Sequence, residues 1–181
     1  MRFLFCPLGG AGFVGSAIAV ARGLVARGHD VTFLTSPTMS PMLAAAGLGL
    51  WPGAERCGAA FEVASWGTAE AIIAQAWHTR RAALHFQPDA IVTSQLALGP
   101  LVAREELDIP VAVIGLGAYL WPHAGDVPDP EACAGDRRRW YGADLLRVFE
   151  AARRRLARPP LAGVSFKRFA LLGDRYLLQS V

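Results

Sequence analysis

Arg2-Phe-Leu-Phe-Cys6-Pro-Leu-Gly-Gly10-Ala-Gly-Phe-Val-Gly15 decides how this chain folds. The first five residues form a short apolar run, which reads as a buried strand ended by Pro7 and a glycine cluster. Val14 to Arg27, rich in Ala, Ile, Val and Leu, reads as a helix. It stops at Gly28, a residue suited to the left-handed position after a helix C-terminus. Asp30-Val-Thr-Phe-Leu-Thr35 follows as a second apolar strand. Strand, loop, helix, strand is a βαβ unit, and its strands must run parallel.

The pattern continues outward from that unit. Pro37 to Ala46 reads as a short helix stopped by Gly47, and Leu48 to Trp51 as a third strand. Residues 53–66 lack periodicity, and Gly53, Gly58 and Gly67 mark a long loop. Thr68 then begins a helix whose Ile72, Ile73, Ala76, Trp77 and Leu84 make one buried face. Pro88 to Thr93 is a fourth strand, Leu96 to Glu106 a helix and Ile109 to Gly115 a fifth strand. Pro122, Pro128 and Pro130 place a surface loop between Leu120 and Gly135. Arg137 to Ala157 reads as a long amphipathic helix closed by Pro159-Pro160, and Tyr176 to Val181 as one more strand. Strands this continuously apolar are covered by helices on both faces. The expectation is α/β: a single Rossmann-like domain with a doubly wound parallel sheet, order near 3-2-1-4-5.

Composition agrees with one well-filled core. The 181 residues weigh 19.3 kDa, with 53% hydrophobic and 18% charged residues and a mean hydropathy of +0.31, which excludes global disorder. No run approaches the ~18 apolar residues of a membrane span, so a soluble cytoplasmic protein is expected. The net charge of +3 is too mild to imply nucleic acid. Residues 136–168 nevertheless hold ten basic side chains against three acidic ones. They read as a solvated helix face, or alternatively as a docking surface for an anionic partner. Cys6, Cys57 and Cys133 are odd in number and far apart, so they form neither a disulfide framework nor a metal site, and no metal is expected.

Gly10-Ala-Gly12-Phe-Val-Gly15 fits the GxGxxG pattern and looks like the dinucleotide fingerprint of extended short-chain dehydrogenases and sugar-nucleotide epimerases. Three features oppose that reading. Pro7, Leu8 and Gly9 separate strand from motif. The second strand ends in Thr35-Ser36 where a ribose-binding acid belongs. No tyrosine has a lysine four residues later. An NAD(P)-dependent oxidoreductase or epimerase stays as an alternative; otherwise no cofactor is expected.

A second resemblance keeps its spacing along the chain. Met1-Arg-Phe-Leu-Phe5, the glycine loop, Leu24-Val-Ala-Arg-Gly-His-Asp-Val-Thr-Phe33, Ala44-Ala-Ala-Gly-Leu48, Pro88-Asp-Ala-Ile-Val92 and Gly99-Pro-Leu-Val-Ala-Arg104 resemble the N-terminal domain of GT-B glycosyltransferases. Trp140 to Leu146 and Leu172 to Leu178 extend the likeness toward Val181. The bacterial enzymes that glycosylate antibiotics and other natural products are the most similar. In that family the N-terminal domain binds the acceptor and the C-terminal domain binds the nucleotide sugar. The resemblance therefore implies that residues 1–181 are the acceptor-binding domain without the donor-binding one.

The family's catalytic base is a histidine or aspartate after the first strand, often oriented by an aspartate after the fourth. By resemblance the base position is Phe13 and the orienting position falls near Ser94, and neither can take a proton. His123, after the fifth strand, is the candidate substitute. His29 reads as structural; His78 and His85 share a helix face and read as solvated or capping residues, with reach to the cleft as the alternative. Trp51 and Trp77 read as core, and Trp66 and Trp121 as ligand-side. The expected substrate pocket is Gly12, Phe13, Trp66, Ser94, Leu116 and Trp121, suited to an apolar small-molecule acceptor. The isolated chain is expected to transfer no sugar. A non-catalytic auxiliary or ligand-binding protein is the other class. The face formed by residues 9–15 and 116–122 is expected to bind a donor-domain protein or a second copy in a homodimer.

Overall fold

The computed structural model describes residues 1–115, 137–161, 171 and 173–178. Five parallel strands make one sheet: β1 (Arg2–Cys6), β2 (Asp30–Phe33), β3 (Ala90–Ser94), β4 (Val111–Gly115) and β5 (Arg175–Leu178), in the order β2-β1-β3-β4-β5. Register follows from the pairs Leu4 with Thr32, Leu4 with Ile91, Val92 with Ala112 and Val113 with Tyr176. The helices are α1 (Ala11–Val25), α2 (Ser40–Ala45), α3 (Ala69–Phe86), α4 (Gly99–Leu107) and α5 (Arg137–Arg155).

Alternate side chains along each strand go to opposite layers. Leu4, Cys6, Ile91, Val111 and Val113 join one core with residues of α3, α4 and α5, including Ile72, Ala76, Leu101, Val102 and Phe149. Phe5, Phe33, Val92 and Ile114 join the other with Val14, Ala17 and Ala21 of α1 and Leu43 of α2. Both faces are covered, as continuous apolar strands require. Gly28, at φ 78°, makes the left-handed turn that ends α1 and returns the chain to β2.

Several expectations are corrected. Leu48 to Trp51 is not a strand: Leu50 makes a single parallel bridge to Phe33, because Gly47, Gly49 and Pro52 leave little backbone fit for a ladder. Residues 53–66 are not a loop but 3-10 turns, Ala54–Phe61 and Val63–Ser65, packed under α3. Trp77 is not core; it is 54% exposed. The basic stretch is not uniformly solvated either. Arg153 is 5% exposed and forks onto both carboxylate oxygens of Glu105 at 2.8 and 3.2 Å. Arg155 bonds Glu70, and Arg158 bonds Glu106. These contacts fasten α5 to α3 and α4.

Candidate functional site

The chain leaves β1, builds β2 on one side, then crosses to β3 on the other. In open α/β sheets the crevice at such a reversal, beyond the carboxyl ends of the strands, is where ligands bind. A cavity of about 330 Å³ lies there. The glycine loop supplies Gly10, Gly12, Phe13 and Ser16, the end of β3 supplies Ser94 and Gln95, and the end of β4 supplies Ile114 and Gly115.

The loops around it are fixed by buried hydrogen bonds. Ser94 Oγ accepts from the Leu8 amide at 3.1 Å. Thr35 Oγ1 donates to the Pro7 carbonyl at 2.8 Å, and Thr93 Oγ1 to the Cys6 carbonyl at 3.0 Å. The Gly9 amide donates to the Phe61 carbonyl at 2.6 Å. A side chain at Gly9 would meet Ser36 Cβ at 2.4 Å. The first glycine of the cluster therefore serves close approach of the backbone to its neighbours. Gly10 caps α1 with no side-chain acceptor, and its carbonyl accepts from the Phe13 and Val14 amides at 3.0 and 2.9 Å. Tyr176 of β5 donates to Gln95 Oε1 at 3.2 Å.

None of the eight described residues that line it is ionisable. Phe13 is half-buried on the wall; Ser94 spends its oxygen on Leu8. The described part of the lining offers apolar surface and shape, and it holds no group that takes a proton at neutral pH. Among the described residues no cluster of His, Cys, Asp and Glu is suited to a metal ion. Cys6 and Cys57 are buried, and burial pushes both thiols upward, Cys57 to about 11 against the opposing pull of Arg81. They are inert thiols.

The structure brings Gly12, Phe13 and Ser94 to one cavity. Trp66 is not on its wall; it is half-buried against the core below α3. Leu116, Trp121 and His123 lie outside the described residues. His85 lines a different cleft, and burial lowers the pKa of His78 with help from Arg81. His29 meets the Phe3 ring at a tilt, 5.5 Å between centroids, at the opposite end of the sheet. Sequence reasoning missed Gln95, Ile114 and Gly115, although residues at the carboxyl ends of parallel strands are the ones this topology turns toward a ligand. Asp30 opens β2 at the remote end, where no dinucleotide ribose could reach it.

The sheet order and alternating helices are the GT-B glycosyltransferase fold. Similar solved structures include the glycosyltransferase of kitacinnamycin, 20% identical with a TM-score of 0.65, which covers 98% of this chain and 45% of that one. SsfS6 of Streptomyces sp. SF2575 is 17% identical with a TM-score of 0.57 over 90% of this chain and 48% of that one. SnogD from Streptomyces nogalater is 22% identical with a TM-score of 0.52 over 87% and 41%. The chain thus spans about half the length of the structures it matches. No family signature and no curated relative matches the sequence. Among the described residues no helix is long and apolar enough to cross a membrane.

Proposed function

We propose that residues 1–181 form the acceptor-binding half of a natural-product glycosyltransferase. The cavity takes an apolar, ring-containing acceptor. Sugar transfer then needs a nucleotide-sugar-binding counterpart, in the same polypeptide or in another. The carrying observation is a cavity at the switch point of the GT-B fold whose described lining carries no ionisable group. SsfS6 has been solved with thymidine diphosphate, which suggests the donor for the test. With Phe13 in the base position, residues 1–181 are inactive alone. The glycine-loop face is the docking surface for the counterpart or, without it, for a second copy; light scattering that finds a strict monomer at micromolar concentration removes the second option.

Alizarin, a planar hydroxylated anthraquinone, serves as the acceptor probe. It binds saturably, and Ser16→Leu, which fills the cavity, weakens binding by at least about tenfold. No glucose is transferred to it from thymidine-diphospho-glucose. Binding indifferent to Ser16→Leu would overturn the acceptor assignment, and turnover by the isolated chain would overturn the inactivity. The absence of ionisable groups from the described lining also favours a non-catalytic ligand-binding protein. That reading prevails if adding a donor-binding half never yields transfer to a bound acceptor.

A further inference from the structure

A second concavity, of about 630 Å³, shares no residue with the first. Its walls come from α3 and from the turn following Leu50. Trp51, Arg56, Trp77, Arg80, Arg81 and His85 line it, together with exposed Leu84. Among the described residues none that lines it is acidic.

The charges are not all committed. Arg80 Nε sits 3.0 Å from Glu106 Oε2. Arg56 and Arg81 are exposed and make no ion pair among the described residues. Arg81 stands 5.6 Å from the ring centroid of Trp77, and His85 meets the Trp51 ring edge-on at 6.4 Å. A large indole left 54% exposed beside a guanidinium is an unusual use of surface, since tryptophan that is not buried commonly marks recognition.

We propose that this cleft binds an aromatic phosphate: a planar ring against Trp77, with its dianionic phosphate between Arg56 and Arg81. Guanidinium forks match phosphate oxygens, and two of them balance the two charges that a phosphate monoester carries above pH ~6. An aromatic ring supplies the stacking partner that a free phosphate lacks. The site stands whether or not the chain serves sugar transfer, since it lies outside the glycine-loop cavity.

Isothermal titration with 1-naphthyl phosphate at pH 7.5 tests it, with inorganic phosphate and 1-naphthol as separate arms. One site per chain is expected, at least about tenfold tighter than for either arm alone. The double variant Arg56→Gln, Arg81→Gln and the variant Trp77→Leu each weaken it by at least about tenfold and about threefold, respectively. All three side chains are exposed, so the variants keep the fold, which thermal unfolding verifies. Ser16→Leu leaves this affinity unchanged. The proposal is overturned by no saturable binding up to millimolar ligand, by equal binding of 1-naphthol, by unchanged affinity in the arginine variant, or by loss of binding in Ser16→Leu, which would put the ligand in the first cavity.

Discussion

Gln75 is the residue whose replacement tests most directly how the site is held. It lies in the middle of α3, 1% exposed, and both ends of its amide are in use. Nε2 donates to the Ala60 carbonyl at 2.8 Å, and Oε1 accepts from the Gly99 amide at 3.0 Å. The first bond holds the 3-10 segment whose last carbonyl grips Gly9. The second holds the start of α4, just beyond Ser94 and Gln95. Leucine has similar volume, so Gln75→Leu changes the packing little, but it strands one buried carbonyl and one buried amide. Each costs about 1–3 kcal/mol, or about 2–6 kcal/mol together. Against a total stability of about 5–15 kcal/mol this is large, and at ~2–4 °C per kcal/mol it lowers Tm by roughly 5–20 °C. Urea unfolding with an unchanged slope is the assay. Gln75→Glu sharpens it: protonated, the acid replaces both bonds; ionised, it keeps only the Gly99 contact and is buried. Its folded pKa is therefore raised, so stability is retained at acid pH and lost as pH rises through that value. A loss below about 1 kcal/mol for Gln75→Leu, or a Gln75→Glu penalty independent of pH, would refute this account.

Three further outcomes follow from named contacts. Gly115→Ala puts a Cβ 2.4 Å from both Gln95 Oε1 and Tyr176 Oη, so it should cost about 1–3 kcal/mol by overpacking and reduce alizarin affinity, read by denaturation and titration. Arg153→Met should cost about 2 kcal/mol by leaving Glu105 unpaired, and adding Glu105→Met should restore part of it; a double variant no more stable than the single one would show that the pair is not coupled. Burial raises the Cys57 thiol from 9.0 to about 11, so the folded state holds its proton longer than the unfolded chain. That stability is complete below pH 9 and disappears as pH rises through 11, which urea midpoints across pH 8–11 would reveal. Rapid labelling of the folded protein by iodoacetamide at pH 8 would contradict it.

The sheet was legible because its strands are uninterrupted apolar runs bounded by Gly, Pro and Asp, and because each helix between them carries a buried stripe. The failures come from residues that sit on a stripe without looking like it. On α3 the buried positions are Ala71, Ile72, Gln75, Ala76, Thr79, Ala82 and Ala83, a three-and-four spacing in which polar Gln75 and Thr79 occupy core places. Trp77 lies one 100° step off that line and points outward, although its size suggested core. On α5, Leu145, Val148, Phe149, Ala152 and Arg153 repeat the same spacing, so the stripe itself placed Arg153 inward. Charge alone argued the reverse. The 3-10 turns of residues 54–65 escaped notice because they bury residues by tertiary hydrogen bonds rather than by period. Phe13 and Ser94 met because the loop after β1 and the end of β3 are neighbours across the switch point, a fact of topology that needs only the strand order.

The 3-10 segment of residues 54–61 joins the glycine-loop cavity to the basic cleft. Arg56, on its first turn, lines the basic cleft, and Phe61, its last residue, takes the Gly9 amide beside the glycine-loop cavity. Between them the Ala60 carbonyl is pinned by Gln75. A 3-10 segment is poorly stabilised by its own bonds, so its position rests on tertiary contacts: these two hydrogen bonds and the burial of Ala54, Cys57 and Phe61 in the core. The shape of the glycine loop therefore depends on a segment that the local sequence does not hold in place. Substitutions at Gln75 or Phe61 should alter the cavity more than their distance from it suggests, and substitutions on the exposed turns of α1 should alter it less.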